Sequence, residues 1–229
     1  MISYTDTTVF NVEAQTIVNT VNCVGVMSGG LALEFRLRYP EMFQDYVDRC
    51  NRQTVRVGRP YLYRDYGYPW ILNFPTKKHW KYSSQLDWIE QGLDYFARNY
   101  QRVDISSIAF PQLGCSKGNL DWNDVKPLME NYLGHLKIPV YICLDIEEVA
   151  TGIEGNMVSV LNKLTEEDLI IDIGLRPNVA RAIVSALPLR RFRELDQIRG
   201  VGKQTYEIIF TRLYSNSLQT KQEKLDLFN

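Results

Sequence analysis

The stretch NFPTKKHW (73–80) combines residue types that can do chemistry. Two lysines, a histidine and a tryptophan come directly after the apolar segment WILNFP, which has the pattern of a buried strand closed by Pro75. The residues after this proline lack the Gly, Asn or Asp of an ordinary turn. A lysine amine is a useful nucleophile only when it is neutral, so its pKa must be lowered. Either these side chains are solvated surface groups, or the strand directs one of them into a cleft.

Two glycine-rich stretches could bind an anion. NCVGVMSGGLALEF (22–35) and PQLGCSKGNLDW (111–122) each follow a predicted strand and lead into a helix. Glycines let backbone N–H groups approach a bound group, and a helix N-terminus favours negative charge. Two such loops side by side could hold a pyrophosphate, although tight strand–helix turns also explain each loop. Neither matches GxxxxGK[ST] or GxGxxG, which argues against a P-loop nucleotidase and a Rossmann dehydrogenase.

The elements that must position these motifs alternate between strands and helices. Short apolar segments predict strands at 16–22, 70–75, 106–111 and 139–144. Helical patterns lie between them at 30–50, with a break at Pro40, and at 85–100 and 121–136. We predict Asp121 as the N-cap of the last of these helices. Strands that alternate with helices indicate an α/β layer sandwich over residues 1–150.

From about residue 151 the pattern becomes all-helical. TGIEGN (151–156) has the composition of a linker, and five short helices are predicted between 156 and 214, followed by a polar tail over 216–229. Two units repeat at an offset of 26 residues, so that Gly174-Leu175 matches Gly200-Val201. Residues 176–215 carry eight Lys or Arg against three acids, which permits a polyanionic partner.

Composition narrows the protein class. The chain has 229 residues, of which 45% are hydrophobic and 23% charged, with a net charge of −1. This composition is typical of a globular protein, and no apolar run approaches the roughly 18 residues of a membrane span. Cys23, Cys50, Cys115 and Cys143 form no CxxC pair, and only two histidines are present. We therefore expect reduced thiols, no metal site, no cofactor, no signal peptide, no membrane association and a cytoplasmic location.

Three motifs, in the order NTVNCVGVMSGGLALEF, NFPTKKHW and PQLGCSKGNLDW, resemble the macrodomain of the DarG antitoxins, which is close to the terminal ADP-ribose protein glycohydrolase. The resemblance covers roughly residues 1–145. It implies a three-layer α/β/α fold with a mixed central sheet that binds ADP-ribose with its diphosphate between two loops. DarG-like members remove ADP-ribose from DNA bases and so undo the modification made by the DarT toxin.

The resemblance also implies site residues. Asn22 would contact the distal ribose, and Lys77 falls on the catalytic lysine of the family. The first phosphate loop would comprise Gly25, Val26, Met27, Ser28, Gly29 and Gly30. The second would comprise Gly114, Cys115, Ser116, Lys117 and Gly118. Further ADP-ribose contacts are expected from Leu31, Thr76, Trp80 and Leu113. We expect burial against Trp80 and the charge of Lys78 to lower the pKa of Lys77.

The chain departs from the family in three places. Gly118 stands where the terminal ADP-ribose protein glycohydrolase has an aspartate; DarG-like chains also have glycine there, which favours DNA over protein glutamate as the substrate. The residues aligned with the adenine-binding pair are Thr7 and Thr8, so Asp6 is a candidate for adenine recognition. The first loop has MSGG where DarG-like chains usually have a lysine between two glycines.

The helical part resembles a helix-hairpin-helix module at LDQIRGVGKQTYEII (195–209). Gly200, Gly202 and Lys203 would present backbone N–H groups and an ammonium to a DNA phosphate. In the first unit Arg176 replaces the second glycine, and Pro177 stands at a predicted helix start. A protein-interaction or purely structural module remains an alternative. This part differs from the toxin-binding region that a DarG protein would carry.

These observations lead to a DNA ADP-ribosyl glycohydrolase with a small DNA-binding domain at 156–215 as the first hypothesis. ADP-ribose, ADP-ribosylated DNA and a DarT-like toxin are the candidate partners. The alternatives are a reader that binds ADP-ribose without cleaving it and a hydrolase of ADP-ribosylated protein side chains.

Overall fold

The computed structural model describes residues 1–64, 67 and 69–226, without the side chains of 220–226. The chain divides into two compact units, one over Met1–Ile146 and one that begins at Glu147. The division falls a few residues before the change in composition near residue 151.

The first unit is built on a six-stranded sheet. Its strands are β1 (Ile2–Thr5), β2 (Thr16–Val21), β3 (Tyr61–Tyr63), β4 (Trp70–Pro75), β5 (Ile108–Pro111) and β6 (Val140–Cys143), in the order β1-β6-β5-β2-β4-β3. Only β3 among them runs antiparallel to its neighbour, so the sheet is mixed, as expected. The short edge strands β1 and β3 escape prediction because neither carries a long apolar run.

Four α-helices cover the two faces of this sheet. They are α1 (Gly30–Arg38), α2 (Pro40–Asn51), α3 (Leu86–Asn99) and α4 (Trp122–Leu133). Neighbouring residues of a strand face opposite sides of the sheet: in β2, Val18 belongs to the same buried cluster as the helical residues Leu93 and Met129, whereas Ile17 belongs to the cluster of Phe35 and Met42. Both faces are therefore buried, which confirms the three-layer α/β/α arrangement.

Sequence signals define two of the helix starts. Pro40 ends α1 and occupies the first turn of α2, where its missing N–H costs no hydrogen bond. Asp121 caps α4, its side chain accepting a hydrogen bond from the backbone N–H of Asn123 at 2.8 Å. That cap confirms the prediction for Asp121.

The described residues of the second unit form four α-helices and a short 3-10 helix over Phe192–Gln197. The α-helices are α5 (Gly152–Leu161), α6 (Glu166–Ile171), α7 (Pro177–Ala186) and α8 (Lys203–Asp226). Pro177 stands at the start of α7, as predicted. The helix α8 continues as far as Asp226 through the residues predicted as a polar tail, and residues 227–229 lie outside the described part.

The prediction of a linker at 151–156 is wrong, because α5 begins within this stretch. Glu154 is 8% exposed, and its carboxylate accepts hydrogen bonds from Arg191 Nε at 3.1 Å, from Arg191 Nη2 at 3.0 Å and from the backbone N–H of Phe192 at 2.9 Å. A Cβ on Gly155 would lie 2.9 Å from the carbonyl oxygen of Ala150. The glycine therefore serves close packing around a buried ion pair rather than flexibility.

Candidate active site

The first glycine-rich loop leaves the sheet at the carboxyl end of β2 and enters α1. Gly29 is the N-cap of α1 and has no side chain to bond the first N–H groups of that helix. Those groups are therefore available to other acceptors, and the helix dipole favours an anion beside them. Ser28 and Gly30 are exposed, whereas Met27 is buried in the core. The exposed part of this loop can accommodate a phosphate.

Asn22 holds this loop in shape. Its amide oxygen accepts hydrogen bonds from the backbone N–H groups of Val24 at 3.0 Å and Val26 at 3.4 Å, and its amide nitrogen donates to the Val26 carbonyl at 2.5 Å. The hydroxyl of Tyr46, on α2, donates to both the backbone and the side-chain oxygen of Asn22 at 3.0 and 2.9 Å. Asn22 is 7% exposed, so most of its surface faces the loop.

The role of Tyr46 escapes prediction from the sequence. Burial raises the pKa of its hydroxyl, which keeps it protonated and able to donate. The only sequence signal is its place among the core-facing residues of α2, which gives no indication of a polar task.

The second glycine-rich loop follows β5 and is folded back on itself. The Leu120 N–H donates to the Gly114 carbonyl at 3.1 Å, and the Asn119 N–H donates to the Ser116 carbonyl at 3.2 Å. Ser116 and Lys117 are exposed at the tip, while Leu113 is fully buried in the core. Of these predicted contact residues, Leu113 can reach a ligand through its backbone only.

Gly118 occupies a position with no room for a side chain. A Cβ there would lie 2.1 Å from the carbonyl oxygen of Gly114 and 2.6 Å from Oγ of Ser84. The Gly118 carbonyl also accepts a hydrogen bond from the Ser84 N–H at 2.9 Å. The absence of an aspartate here is therefore built into the loop conformation.

The two loops approach each other. A Cβ built on Gly30 would lie 3.7 Å from Cγ of Lys117. The parallel strands β2 and β5 are neighbours in the sheet, so both loops begin side by side at the carboxyl ends of the strands.

Lys77 also lies at the carboxyl ends of the parallel strands, just after β4. The pairing of β2 and β4 continues past the sheet, since the Thr76 N–H donates to the Val21 carbonyl at 2.9 Å and the Cys23 N–H donates to the Lys78 carbonyl at 3.3 Å. Thr76 is buried and Lys77 is half-buried. The Lys77 amine donates a hydrogen bond to the carbonyl oxygen of Lys117 in the second loop.

Burial, followed by the like charge of Lys117, holds the pKa of Lys77 below its ordinary value. The direction of the shift and the contribution of burial agree with the expectation, but the charged neighbour differs. The neighbouring charge is that of Lys117, whereas Lys78 is exposed and its amine lies 5.3 Å from the ring centroid of Trp88. Trp80 is 47% exposed and stacks on His79.

The nearby cysteines are not activated as nucleophiles. Burial raises the pKa of the Cys115 thiol to about 11, with a smaller contribution from Asp121, and burial together with Cys50 raises the pKa of Cys23 to about 11. Both thiols are protonated near neutral pH. The shift that favours a nucleophile belongs to Lys77.

The second unit carries two glycine-containing turns. Gly174 and Gly200 both adopt positive φ, +80° and +96°, at matching places in the two repeated units. Nothing lies within 4 Å of a Cβ built on Gly200 or Gly202. Lys203 is the first residue of α8, and its Nζ lies 3.8 Å from Oε1 of Glu207. The turn before α8 follows the 3-10 helix over Phe192–Gln197, where the sequence predicts a short helix.

Metal-binding and membrane-spanning features are absent from the described residues. No group of three His, Cys, Asp or Glu side chains there is placed to hold a metal ion. Every helix in the same part of the chain is too short or too polar to cross a membrane.

Comparison with known proteins finds relatives for the first unit that all point to one family. The model of the Macro domain family matches residues 18–129. A protein of Mycobacterium bovis (strain BCG / Pasteur 1173P2) named DNA ADP-ribosyl glycohydrolase is 43% identical over 129 residues, which cover 55% of this chain. The chain spans only 37% of the length of that relative.

The solved structures that are similar to this chain point to the same family. The macrodomain of Mycobacterium tuberculosis DarG superposes with a TM-score of 0.60 at 38% identity, covering 63% of this chain and 98% of that one. Thermosipho africanus DarTG, solved in complex with ADP-ribose, gives a TM-score of 0.62 at 36% identity over 67% of this chain and 44% of that one.

Proposed function

The chain belongs to the macrodomain family, and from that premise we propose that it is a DNA ADP-ribosyl glycohydrolase, which releases ADP-ribose from modified DNA bases. The observation that carries the proposal is the position of the Lys77 amine, which has a lowered pKa and is bonded to the second glycine-rich loop. The names of the relatives point the same way.

ADP-ribose would bind with its diphosphate between the two loops. The uncapped start of α1 and the exposed residues Ser28, Ser116 and Lys117 supply N–H groups, hydroxyls and one positive charge at the same edge of the sheet. Because Tyr46 and Asn22 hold the first loop, its N–H groups need little rearrangement on binding.

Lys77 would act as the nucleophile. Its neutral amine attacks C1″ of the distal ribose, the bond from C1″ to the base nitrogen breaks, and the base leaves with the electron pair and takes up the amine proton. In the resulting glycosylamine the ribose ring opens: the C1″–O4″ bond breaks, O4″ takes up the remaining amine proton, and a C1″=N Schiff base joins the ribose to Lys77. Water then adds at C1″, the C1″–N bond breaks to return the amine, and the ribose ring closes again as ADP-ribose is released.

The bound diphosphate opposes the lowered pKa of Lys77, while Lys117 and burial support it. Lys117 therefore has two tasks in this proposal, one toward the phosphates and one toward the amine. Cleavage is favoured over simple reading of ADP-ribose because a reader needs no amine with a lowered pKa at this place.

Gly118 supports DNA rather than protein as the substrate. The enzyme of the related type that acts on protein glutamates carries an aspartate at this position. Here a side chain would meet the Gly114 carbonyl at 2.1 Å, so an acidic group cannot take that place without rebuilding the loop.

The second unit is proposed to bind DNA through Gly200, Gly202 and Lys203. The open space around both glycines and the eight basic residues of 176–215 support phosphate contacts. Such binding is insensitive to sequence and weakens with salt, and it raises the local concentration of a rare modified base. Substrate DNA implies action in the cytoplasm, and a DarT-like toxin is the partner that would create the substrate.

The direct test uses three substrates: an oligonucleotide with ADP-ribose on thymine, one with ADP-ribose on guanine, and a peptide with ADP-ribose on glutamate. The proposal predicts release of ADP-ribose from at least one oligonucleotide and none from the peptide. Tight binding of ADP-ribose without release from any substrate would indicate a reader, and release from the peptide alone would indicate a protein-directed hydrolase.

A further inference from the structure

Residues 78–82, called here the aromatic–basic segment, lie directly after Lys77 and expose aromatic rings between lysines. The sequence is Lys78, His79, Trp80, Lys81 and Tyr82. Trp80 is 47% exposed and Tyr82 is 68% exposed, which leaves large apolar ring faces in water. The reaction steps proposed for Lys77 use none of these five side chains, and Trp80 is the one among them that is also expected to contact ADP-ribose.

The rings are ordered relative to one another. The His79 ring is close to both other rings, with its centroid 5.6 Å from that of Trp80 and 5.5 Å from that of Tyr82. The amine of Lys81 lies 5.2 Å from the Trp80 ring centroid. Since side chains that are already packed together lose less conformational freedom on binding, this surface is preorganised.

Both ends of the segment are joined to the ADP-ribose loops. At its start, the Lys78 carbonyl accepts a hydrogen bond from the Cys23 N–H at 3.3 Å in the first loop. Just beyond its end, the Ser84 N–H donates to the Gly118 carbonyl at 2.9 Å, and Ser83 Oγ accepts from Asn119 Nδ2 at 3.1 Å. The exposed rings therefore keep a defined position relative to Lys77 and to both loops.

The chemistry of this surface fits single-stranded nucleic acid better than a protein partner. Bases stack on aromatic faces whatever their identity, and lysines between the rings contact the phosphates. All charged groups in the segment have the same sign, and it contains no aliphatic side chain that would fill a protein pocket.

We propose that residues 78–82 form a stacking platform for the single-stranded DNA next to the modified nucleotide. An unmodified base rests on Tyr82 and Trp80, while Lys78 and Lys81 contact the flanking phosphates. The platform rests on the proposed function, because it serves the same site. It selects ADP-ribose attached to a strand over ADP-ribose attached to a lone nucleoside.

The test compares two substrates that differ only in the flanking strand: an ADP-ribosylated nucleoside and a single-stranded oligonucleotide with the same modified base. Tyr82→Ala and Tyr82→Ala combined with Lys81→Ala are assayed against the intact protein. Tyr95→Ala is the matched control, since Tyr95 is an exposed tyrosine on α3 outside the segment. Binding of an unmodified single-stranded oligonucleotide is measured with the same proteins.

Loss of one stacked base raises KM for the oligonucleotide, and Kd for the unmodified strand, by about tenfold for Tyr82→Ala. The double variant loses more and shows a shallower salt dependence. Neither variant changes KM for the nucleoside or the affinity for free ADP-ribose, and Tyr95→Ala changes nothing.

The platform is overturned if Tyr82→Ala leaves oligonucleotide KM and strand binding unchanged, or if the nucleoside KM rises equally. The first result would favour a protein partner for the segment, and the second would assign it to ADP-ribose itself. Failure of the intact protein to release ADP-ribose from either substrate would instead contradict the proposed function, and strand binding would still decide on the platform.

Discussion

The amine of Lys77 donates a hydrogen bond to the backbone carbonyl oxygen of Lys117. The first residue follows strand β4 and the second lies at the tip of the loop after β5, 40 positions further along the chain. This contact joins the proposed nucleophile to one wall of the proposed diphosphate site. In the proposed mechanism, binding of the diphosphate and the protonation of the amine would therefore be coupled through one loop.

The pH dependence of ADP-ribose release should follow the amine. Because the neutral form is the nucleophile, kcat/KM rises with pH through the pKa of Lys77, at a midpoint below the value of about 10.4 of an ordinary lysine. Removing the charge in Lys117→Gln favours the protonated amine, so the midpoint moves to higher pH. A pH profile on the nucleoside substrate checks this. Lys78→Gln is the control and should leave the midpoint in place; equal shifts for both variants would contradict the assignment to Lys117.

The hydroxyl of Tyr46 should matter for ADP-ribose affinity without touching the ligand. Tyr46→Phe removes both hydrogen bonds to Asn22, at a cost of about 1–3 kcal/mol in unfolding free energy, and loosens the first loop. Calorimetric titration should show affinity for ADP-ribose lowered several-fold. Tyr132→Phe, which removes a single exposed bond to Glu90 at 3.0 Å, is the matched control. Undiminished affinity in Tyr46→Phe would show that the loop keeps its shape unaided.

A methyl group at Gly118 should disrupt the second loop. In Gly118→Ala the new Cβ would overlap the Gly114 carbonyl, so the turn must open, and we expect loss of more than tenfold in ADP-ribose affinity together with about 1–3 kcal/mol of stability. Gly202→Ala adds the same group in open space and should change neither quantity. Titration and denaturant unfolding of the two variants provide the measurement; a Gly118→Ala protein with normal affinity would contradict the steric account.

The buried ion pair of the second unit should carry much of its local stability. Glu154→Gln leaves the Arg191 guanidinium without its buried anion, with an expected cost of about 3–5 kcal/mol. Hydrogen exchange of the α5 amides should accelerate accordingly. Glu148 pairs with Arg190 at 3.5 Å on the surface, so Glu148→Gln should cost less than about 1 kcal/mol. Similar protection in both variants would argue that Glu154 packs without contributing charge.

Much of the first unit can be predicted from its sequence. The buried strands β2, β4, β5 and β6 are short, mostly apolar segments, and a helical pattern precedes or follows each. The glycine-rich loops and Lys77 each follow one of these strands, and they meet because β2 lies between β5 and β4 in the sheet. The structure confirms the predicted mixed three-layer fold. The strands β1 and β3, of four and three residues, form by pairing at the sheet edges, and such short segments carry little sequence pattern.

The features that sequence patterns miss are polar and long-range. The TGIEGN stretch has the composition of a linker, yet its Glu154 is buried and pairs with Arg191, 37 positions away. The bond from Tyr46 to Asn22 and the effect of Lys117 on Lys77 likewise join distant segments. The periodicity of a sequence indicates which faces of its helices and strands are apolar. It does not indicate which polar or charged side chains contact each other in the folded protein.

The central claim is tested most directly by release of ADP-ribose from a modified oligonucleotide, measured for the intact protein and for Lys77→Ala at equal occupancy by substrate. Free ADP-ribose binding to both proteins serves as the folding control. We predict release by the intact protein, a loss of at least about a hundredfold in kcat in the variant, and similar affinity for ADP-ribose. Release at the same rate by Lys77→Ala would contradict the account, because the amine would then have no part in the chemistry.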